Sequence, residues 1–101
     1  DGTKVTLYFN YNDEEITSEA FGNGPIDAVK LAIKQCVPEV DVTILNYSEH
    51  ALSEGSHAKA AAYIQMRNNR TGNITFGVGV SSNITRASVR AFFSGLNRLA
   101  R

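Results

Sequence analysis

Hydrophobic and polar residues alternate along four stretches of the chain, as they do in strands that bury one face, and a fifth stretch is rich in β-forming residues. The first two stretches, residues 4–11 and 15–21, are separated by the turn residues Asn12-Asp13-Glu14 and therefore predict a β-hairpin. The other three predicted strands cover residues 42–52, 57–68 and 74–80.

The stretch 57–68 is rich in alanine, so a helix is an alternative to a strand there. Its period of two, and the turn residues on both sides at 53–56 and 68–72, favour the strand. In the next stretch, Gly77 and Gly79 lie on the face opposite the large apolar residues.

Two further segments have the spacing of amphipathic helices. Pro25 after Gly24 indicates where the first helix begins, and Pro38 predicts that it ends near Cys36, because proline disfavours helical backbone at the preceding residue. The second helix follows Ser81-Ser82-Asn83, whose side chains can cap its first turn. Its apolar stripe comprises Ile84, Ala87, Ala91, Gly95 and Leu99, with Ser88, Phe92 and Leu96 beside it.

The predicted order is therefore ββαβββα, with a Gly-x-Gly segment, residues 22–24 and 77–79, leading into each helix. This indicates a weak internal repeat of about 55–60 residues. The predicted fold class is α+β, with two ββ(β)α-type units related by pseudo-twofold symmetry and the helices packed on antiparallel sheet.

Charge is unevenly distributed, although the net charge is zero. All ten acidic residues lie within residues 1–54 together with three lysines, and seven basic residues follow without an acid. We interpret this separation first as complementarity within the chain or between subunits. A basic face for nucleic acid is less favoured, because no aromatic residues alternate with the arginines.

Candidate catalytic and metal-binding residues are few. Cys36 is the only cysteine, which excludes an intramolecular disulfide and a cysteine metal cluster. His50 and His57 do not have a common zinc spacing, and no serine lies in a nucleophile elbow. We therefore expect no catalytic residue, no metal and no cofactor in this chain.

The chain has neither a signal-peptide segment nor an apolar run that approaches 18 residues. We expect a cytoplasmic protein without membrane or nucleic-acid partners, and its abrupt start at Asp1 suits a fragment of a longer chain.

Two features are compatible with a small ligand. Helix starts that follow flexible glycine turns present free N–H groups, which favour a carboxylate or phosphate. Tyr47 and Tyr63 lie on strands beside small residues such as Ala51 and Ala58, where a branched aliphatic ligand could fit. Tight strand-to-helix turns and ordinary sheet packing explain the same residues without any ligand, so both interpretations stay open.

Several short motifs resemble, in order, the regulatory domain of the 2-isopropylmalate synthases. Residues 22–28 (GNGPIDA) resemble its GxGPxxA signature, residues 46–51 (NYSEHA) its DYxEHA stretch, and residues 58–63 (AKAAAY) its AxAAAY strand. Residues 77–80, 83–88 and 96–98 are similar to its closing block. Each motif is weak alone, but the ordered set covers nearly the whole chain and is specific.

The resemblance implies a single regulatory domain over residues 1–101, a fragment of a longer enzyme that lacks the catalytic barrel. It implies a homodimer that binds L-leucine as a feedback inhibitor and acts on the catalytic barrel of the same enzyme. That barrel would hold a divalent metal and would condense acetyl-CoA with 3-methyl-2-oxobutanoate, an acyl transfer of leucine biosynthesis. Carried over position by position, the effector-binding residues are Gly22, Gly24, Ile26, Ile44, Tyr47, Ala51, Ala58 and Ile84.

Two alternatives follow from the same sequence. The resemblance extends to the citramalate synthases, whose similar domain senses isoleucine, although the Glu49-His50-Ala51 run favours the leucine branch. The basic second half would instead suit a non-enzymatic interaction module, whose binding to polyanions would depend on salt.

Overall fold

The computed structural model describes residues 2–52 and 58–99, and these ranges contain five strands and two helices. The predicted order ββαβββα and the α+β class are confirmed. The predicted turn at 53–56, His57 and Arg101 lie outside the described residues. The elements are β1 (Thr3–Tyr11), β2 (Glu14–Gly22), α1 (Pro25–Cys36), β3 (Val42–Ala51), β4 (Ala60–Asn68), β5 (Ile74–Ser81) and α2 (Ile84–Leu99).

The elements form two compact units, which we call unit 1 (residues 1–40) and unit 2 (residues 41–101). Unit 1 contains the antiparallel pair β1-β2 and α1. Unit 2 contains an antiparallel sheet in the order β3-β4-β5 and α2. Each unit therefore buries one amphipathic helix against one face of its own sheet.

The hairpin of unit 1 turns at Asn12 and Asp13, whose φ angles of 52° and 64° are both left-handed. Such a two-residue turn matches the twist of the flanking strands, and asparagine and aspartate tolerate its backbone better than most residues. Glu14, which the sequence placed in the turn, is instead the first residue of β2 and lies opposite Tyr11.

The helix of unit 1 begins at Pro25 and ends at Cys36, as predicted. Its buried side chains are Ala28, Val29, Ala32 and Ile33, and they cover the strand face that carries Val5 and Leu7. Within this interface the buried Ser18 hydroxyl donates a 2.6 Å hydrogen bond to the Ala32 carbonyl, so the polar group is satisfied.

In unit 2 the alanine-rich stretch is a strand, which confirms the preferred prediction, although β4 begins at Ala60 rather than at residue 57. A bulge at Leu45 interrupts the pairing of β3 with β4. The turn between β4 and β5 needs a left-handed residue, and Gly72 supplies it with a φ of 80°.

The second helix packs on β4 and β5 and buries the middle of the predicted stripe, Ala87, Ala91 and Gly95, with Ser88 and Phe92 beside it. The predicted stripe residues Ile84 and Leu99, at the two ends of the helix, are only half-buried. Gly77 and Gly79 face this helix so closely that an added Cβ would lie 2.0 Å from the Ala91 carbonyl oxygen and 2.1 Å from that of Ala87. These glycines therefore allow close helix–sheet contact.

Candidate effector site

The predicted effector residues are divided between the units. Three of them, Gly22, Gly24 and Ile26, belong to the strand-to-helix turn of unit 1. Those in unit 2 are Ile44, Tyr47, Ala51, Ala58 and Ile84.

The turn of unit 1 leads from β2 directly into α1. Gly24 is the residue before the helix, and no side chain caps the helix there. The N–H groups of the first helical turn have no partner within the helix, and Pro25 removes one of them. The Asn23 N–H is already engaged, because it donates a 3.0 Å bond to Oδ2 of Asp27. The turn retains amide groups suited to a carboxylate, with one acid already beside them.

The two glycines of this turn have different roles. An added Cβ at Gly22 would lie 2.4 Å from the backbone nitrogen of Ala28, so this glycine allows the strand end to contact the helix. An added Cβ at Gly24 would meet nothing within 4 Å, and its φ of −168° is open to any residue. Packing therefore explains Gly22, whereas neither packing nor backbone conformation requires a glycine at position 24.

The prediction that the glycine segment 77–79 forms the turn into α2 is wrong. Gly77 and Gly79 lie inside β5, and the segment that leads into α2 is Ser81-Ser82-Asn83. Here side chains satisfy the backbone: Oδ1 of Asn83 accepts the Arg86 N–H at 3.1 Å, and Oγ of Ser81 accepts the Asn83 N–H at 3.2 Å. The predicted cap of α2 is thereby confirmed, and the position that corresponds to Gly24 is Asn83.

Tyr47 and Ile84 are joined through a residue that sequence reasoning did not include in the site. The fully buried Ser88 hydroxyl donates to the Ile84 carbonyl at 3.0 Å and lies 2.5 Å from the Tyr47 hydroxyl. Either hydroxyl can be the donor in the contact between Tyr47 and Ser88. In the sequence, the sign of this role was the position of Ser88 beside the apolar stripe of the second predicted helix.

Ala51 lies at the same end of the sheet as the start of α2. It pairs with Ala60 of β4, which pairs with Ser81 at the end of β5. Ala58 precedes β4 at this end, where the neighbouring Leu52 N–H bonds to the Lys59 carbonyl at 2.8 Å. The geometry of unit 2 thus joins Tyr47 to Ile84 through Ser88 and places Ala51 at the same end of the sheet.

Ile44 is farther from that helix start. It pairs with Met66, whose side chain lies under Gly95, near the C-terminal end of α2. Ile44 is thus placed along β3 away from Ala51, beyond the bulge at Leu45.

The electrostatic surroundings of Tyr47 include a carboxylate. Burial raises the pKa of Tyr47 above its ordinary value of 10.0, the hydrogen bond to Ser88 opposes the rise, and the negative charge of Glu49 adds to it. Glu49 lies two residues along β3, so its exposed side chain is on the same face of the strand as Tyr47. An acid is therefore present beside the tyrosine, at a position that the predicted site omitted.

Within residues 2–52 and 58–99, no group of three or more histidine, cysteine, aspartate or glutamate side chains is arranged to hold a metal ion. His50 instead contacts the ring of Tyr63 edge-on, with the ring centroids 5.6 Å apart. Neither helix in the described part of the chain is long and apolar enough to cross a membrane.

These features define a small α+β module in which two helix starts, one with a side-chain cap and one without, follow antiparallel strands. The sequence model of one family, the LeuA allosteric (dimerisation) domain, matches residues 2–100. The chain therefore belongs to the LeuA allosteric (dimerisation) domain family.

Individual relatives agree with this assignment. The chain is 40% identical over 100 residues to the 2-isopropylmalate synthase of Ralstonia pickettii, and the match covers 98% of the chain and 17% of that protein. It is 49% identical over 77 residues to the 2-isopropylmalate synthase of Thermobifida fusca, covering 76% of the chain and 13% of the relative. The chain thus spans only about one-sixth or less of the length of these curated relatives.

Proposed function

We propose that this chain is the leucine-binding, feedback-inhibition domain of a 2-isopropylmalate synthase and that it forms a homodimer. The observation that carries the proposal is the family match over residues 2–100, since the family is described as allosteric and as a dimerisation domain. The relatives named 2-isopropylmalate synthase support the identity of the parent enzyme.

The chemistry of the candidate residues supports an amino acid as the effector. In unit 1, the uncapped start of α1 offers N–H groups and a positive helix end to a carboxylate. In unit 2, Glu49 offers a negative charge to an ammonium group, while Ile84 and the half-buried ring of Tyr47 offer apolar surface to a branched side chain. Ala51 and Ala58 leave room beside them.

We further propose that the intact enzyme is cytoplasmic and condenses acetyl-CoA with 3-methyl-2-oxobutanoate on a separate barrel that holds a divalent metal. The 101 residues of this chain are too few for such a barrel of about 250 residues. On this proposal the present chain contributes regulation and assembly, and the catalytic residues belong to the barrel.

Thermal unfolding of the chain with added amino acids tests the proposal. A ligand that binds only the folded state raises the free energy of unfolding, by about 2.7 kcal/mol at a concentration one hundred times its Kd. We expect leucine to raise the melting temperature most, isoleucine and valine less, and lysine not at all.

The ranking of leucine and isoleucine distinguishes the two branches, because one methyl position is worth only about 1–3 kcal/mol. A larger shift with isoleucine would assign the domain to a citramalate synthase. No shift with any branched amino acid, in a folded sample, would contradict the proposed effector site.

A further inference from the structure

The Tyr47 ring is the largest side chain among the candidate effector residues of unit 2, and its hydroxyl is held from within the fold. Tyr47 is half-buried on β3, and its hydroxyl lies 2.5 Å from Oγ of Ser88 on α2. Since α2 packs on β4 and β5, the long tyrosine side chain reaches the helix from the neighbouring strand β3. The ring turns about only two side-chain bonds, so a contact at its hydroxyl fixes its direction.

Ser88 contacts two residues of the candidate site although it belongs to the interior of unit 2. Its side chain is fully buried between α2 and the sheet, so it is not itself available to a ligand. The Ser88 hydroxyl also donates a 3.0 Å hydrogen bond to the Ile84 carbonyl, one helical turn earlier. One buried hydroxyl therefore holds the Tyr47 phenol from the first turns of the helix that carries Ile84.

Packing and helix stability do not explain a serine at this position. Ala87 and Ala91 lie on the same buried side of α2, are 0% exposed, and have no polar side-chain atom. Alanine is the better helix former in such a place, and a serine that bonds back to the carbonyl four residues earlier slightly destabilises a helix. The contact with Tyr47 is what the Ser88 hydroxyl contributes beyond an alanine.

We propose that Ser88 is a positioning residue of the leucine site, whose hydroxyl fixes the Tyr47 ring near the start of α2 before leucine binds. This inference rests on the proposed function, in which Tyr47 and Ile84 offer apolar surface to the leucine side chain. A ring that is already fixed loses little freedom when the ligand binds, whereas a free ring has to be ordered at the expense of affinity. The Ser88 hydroxyl thus strengthens leucine binding without touching leucine.

Calorimetric titration of leucine into the chain and into Ser88→Ala tests this role. We expect the Kd for leucine to rise roughly 3- to 10-fold in the variant, because the ring is no longer fixed. Ser94→Ala is the matched control, since it removes a hydroxyl from the same helix that accepts the Val78 N–H at 3.3 Å. The control is expected to leave the Kd unchanged, and far-ultraviolet circular dichroism shows that each variant is folded.

Tyr47→Phe, alone and combined with Ser88→Ala, shows whether the two hydroxyls act as one unit. Each single variant removes the same contact, so the Kd of the double variant should agree with that of either single variant within about twofold. If the two losses multiply instead, the phenol acts on the ligand or on the nearby Glu49 independently of Ser88, and the proposal is overturned.

Near-ultraviolet circular dichroism gives a readout that a merely structural role of Ser88 would not move. A tyrosine ring held in one orientation contributes to this signal, and the contribution of Tyr47 is the difference between the parent chain and Tyr47→Phe. In Ser88→Ala this contribution should be lost without leucine and regained with saturating leucine.

The two proposals fail in different ways. A Ser88→Ala variant with the leucine Kd or the ligand-free tyrosine spectrum of the parent would overturn the positioning role and leave the leucine proposal intact. A folded parent chain that binds no leucine would overturn both.

Discussion

Both helices begin directly after an antiparallel strand, but only the start of α2 has a side-chain cap. In unit 1 the segment Gly22-Asn23-Gly24 leads into α1 without a side-chain cap, whereas in unit 2 the segment Ser81-Ser82-Asn83 leads into α2 with Asn83 bonded to the Arg86 N–H. A capped helix start has used part of its capacity to bind an anion, and an uncapped start has not. The start of α2 has therefore used part of this capacity on its own side chains, whereas the start of α1 keeps its N–H groups available.

The glycines of the two units differ in a similar way. Gly77 and Gly79 lie in the middle of a strand and allow a helix backbone to approach. In unit 1 only Gly22 does so, at the strand end, and Gly24 stands in open space. Close packing therefore explains Gly22, Gly77 and Gly79, and it does not explain Gly24.

The largest effect is expected from Gly79→Ala, which places a Cβ 2.1 Å from the Ala87 carbonyl oxygen and forces α2 away from β5. The free energy of unfolding should fall by about 3 kcal/mol, since overpacking against backbone cannot relax easily. Urea denaturation measures the change. Val78→Ala, at the adjacent exposed position, is the control and should cost less than about 1 kcal/mol.

A smaller loss is expected from Gly22→Ala, at about 2 kcal/mol, because its Cβ would clash with the Ala28 nitrogen at the end of a strand where the backbone can shift. The matched variant Gly24→Ala meets no atom and should cost less than about 1 kcal/mol. Equal losses for the two variants in denaturation experiments would remove the distinction between a packing glycine and an open one.

Removal of the cap in unit 2 shows how much the Asn83 side chain stabilises the start of α2. Asn83→Ala should lower the free energy of unfolding by about 1 kcal/mol, because the Arg86 N–H loses its acceptor. Ser82→Ala, at the exposed position before it, should be close to neutral in the same measurement. An Asn83→Ala variant as stable as the parent would show that the cap does not distinguish the two helix starts.

The smallest effect concerns Tyr47 and appears at alkaline pH. Its raised pKa means that the folded chain holds the phenol proton more tightly than the unfolded chain does. The stability that this group contributes is complete below about pH 10 and is lost as the pH rises through the raised value. Tyr47→Phe should cost about 1 kcal/mol at neutral pH and should reduce the decline above pH 10. If the free energy of unfolding of Tyr47→Phe falls as steeply above pH 10 as that of the parent chain, groups other than Tyr47 cause the fall.

The sequence predicted the order of elements and the middle of the buried stripe of the second helix, because alternation and helical spacing are local properties of the chain. It did not predict which face of β5 meets α2: hydrophobicity alone would bury Phe76 and Val78, yet the glycine face is the one that lets the helix approach. It also missed Ser88 and Glu49, since their importance arises from packing across the sheet and from the neighbouring tyrosine.

Gly24 is the residue on which the proposed leucine site depends most. Calorimetric titration of leucine into the chain and into Gly24→Val tests this directly, with circular dichroism to show that both are folded. We expect saturable binding to the parent chain and none to Gly24→Val, because the open space beside Gly24 would then be filled. Equal leucine affinity in the two proteins, or no binding to the folded parent, would contradict it.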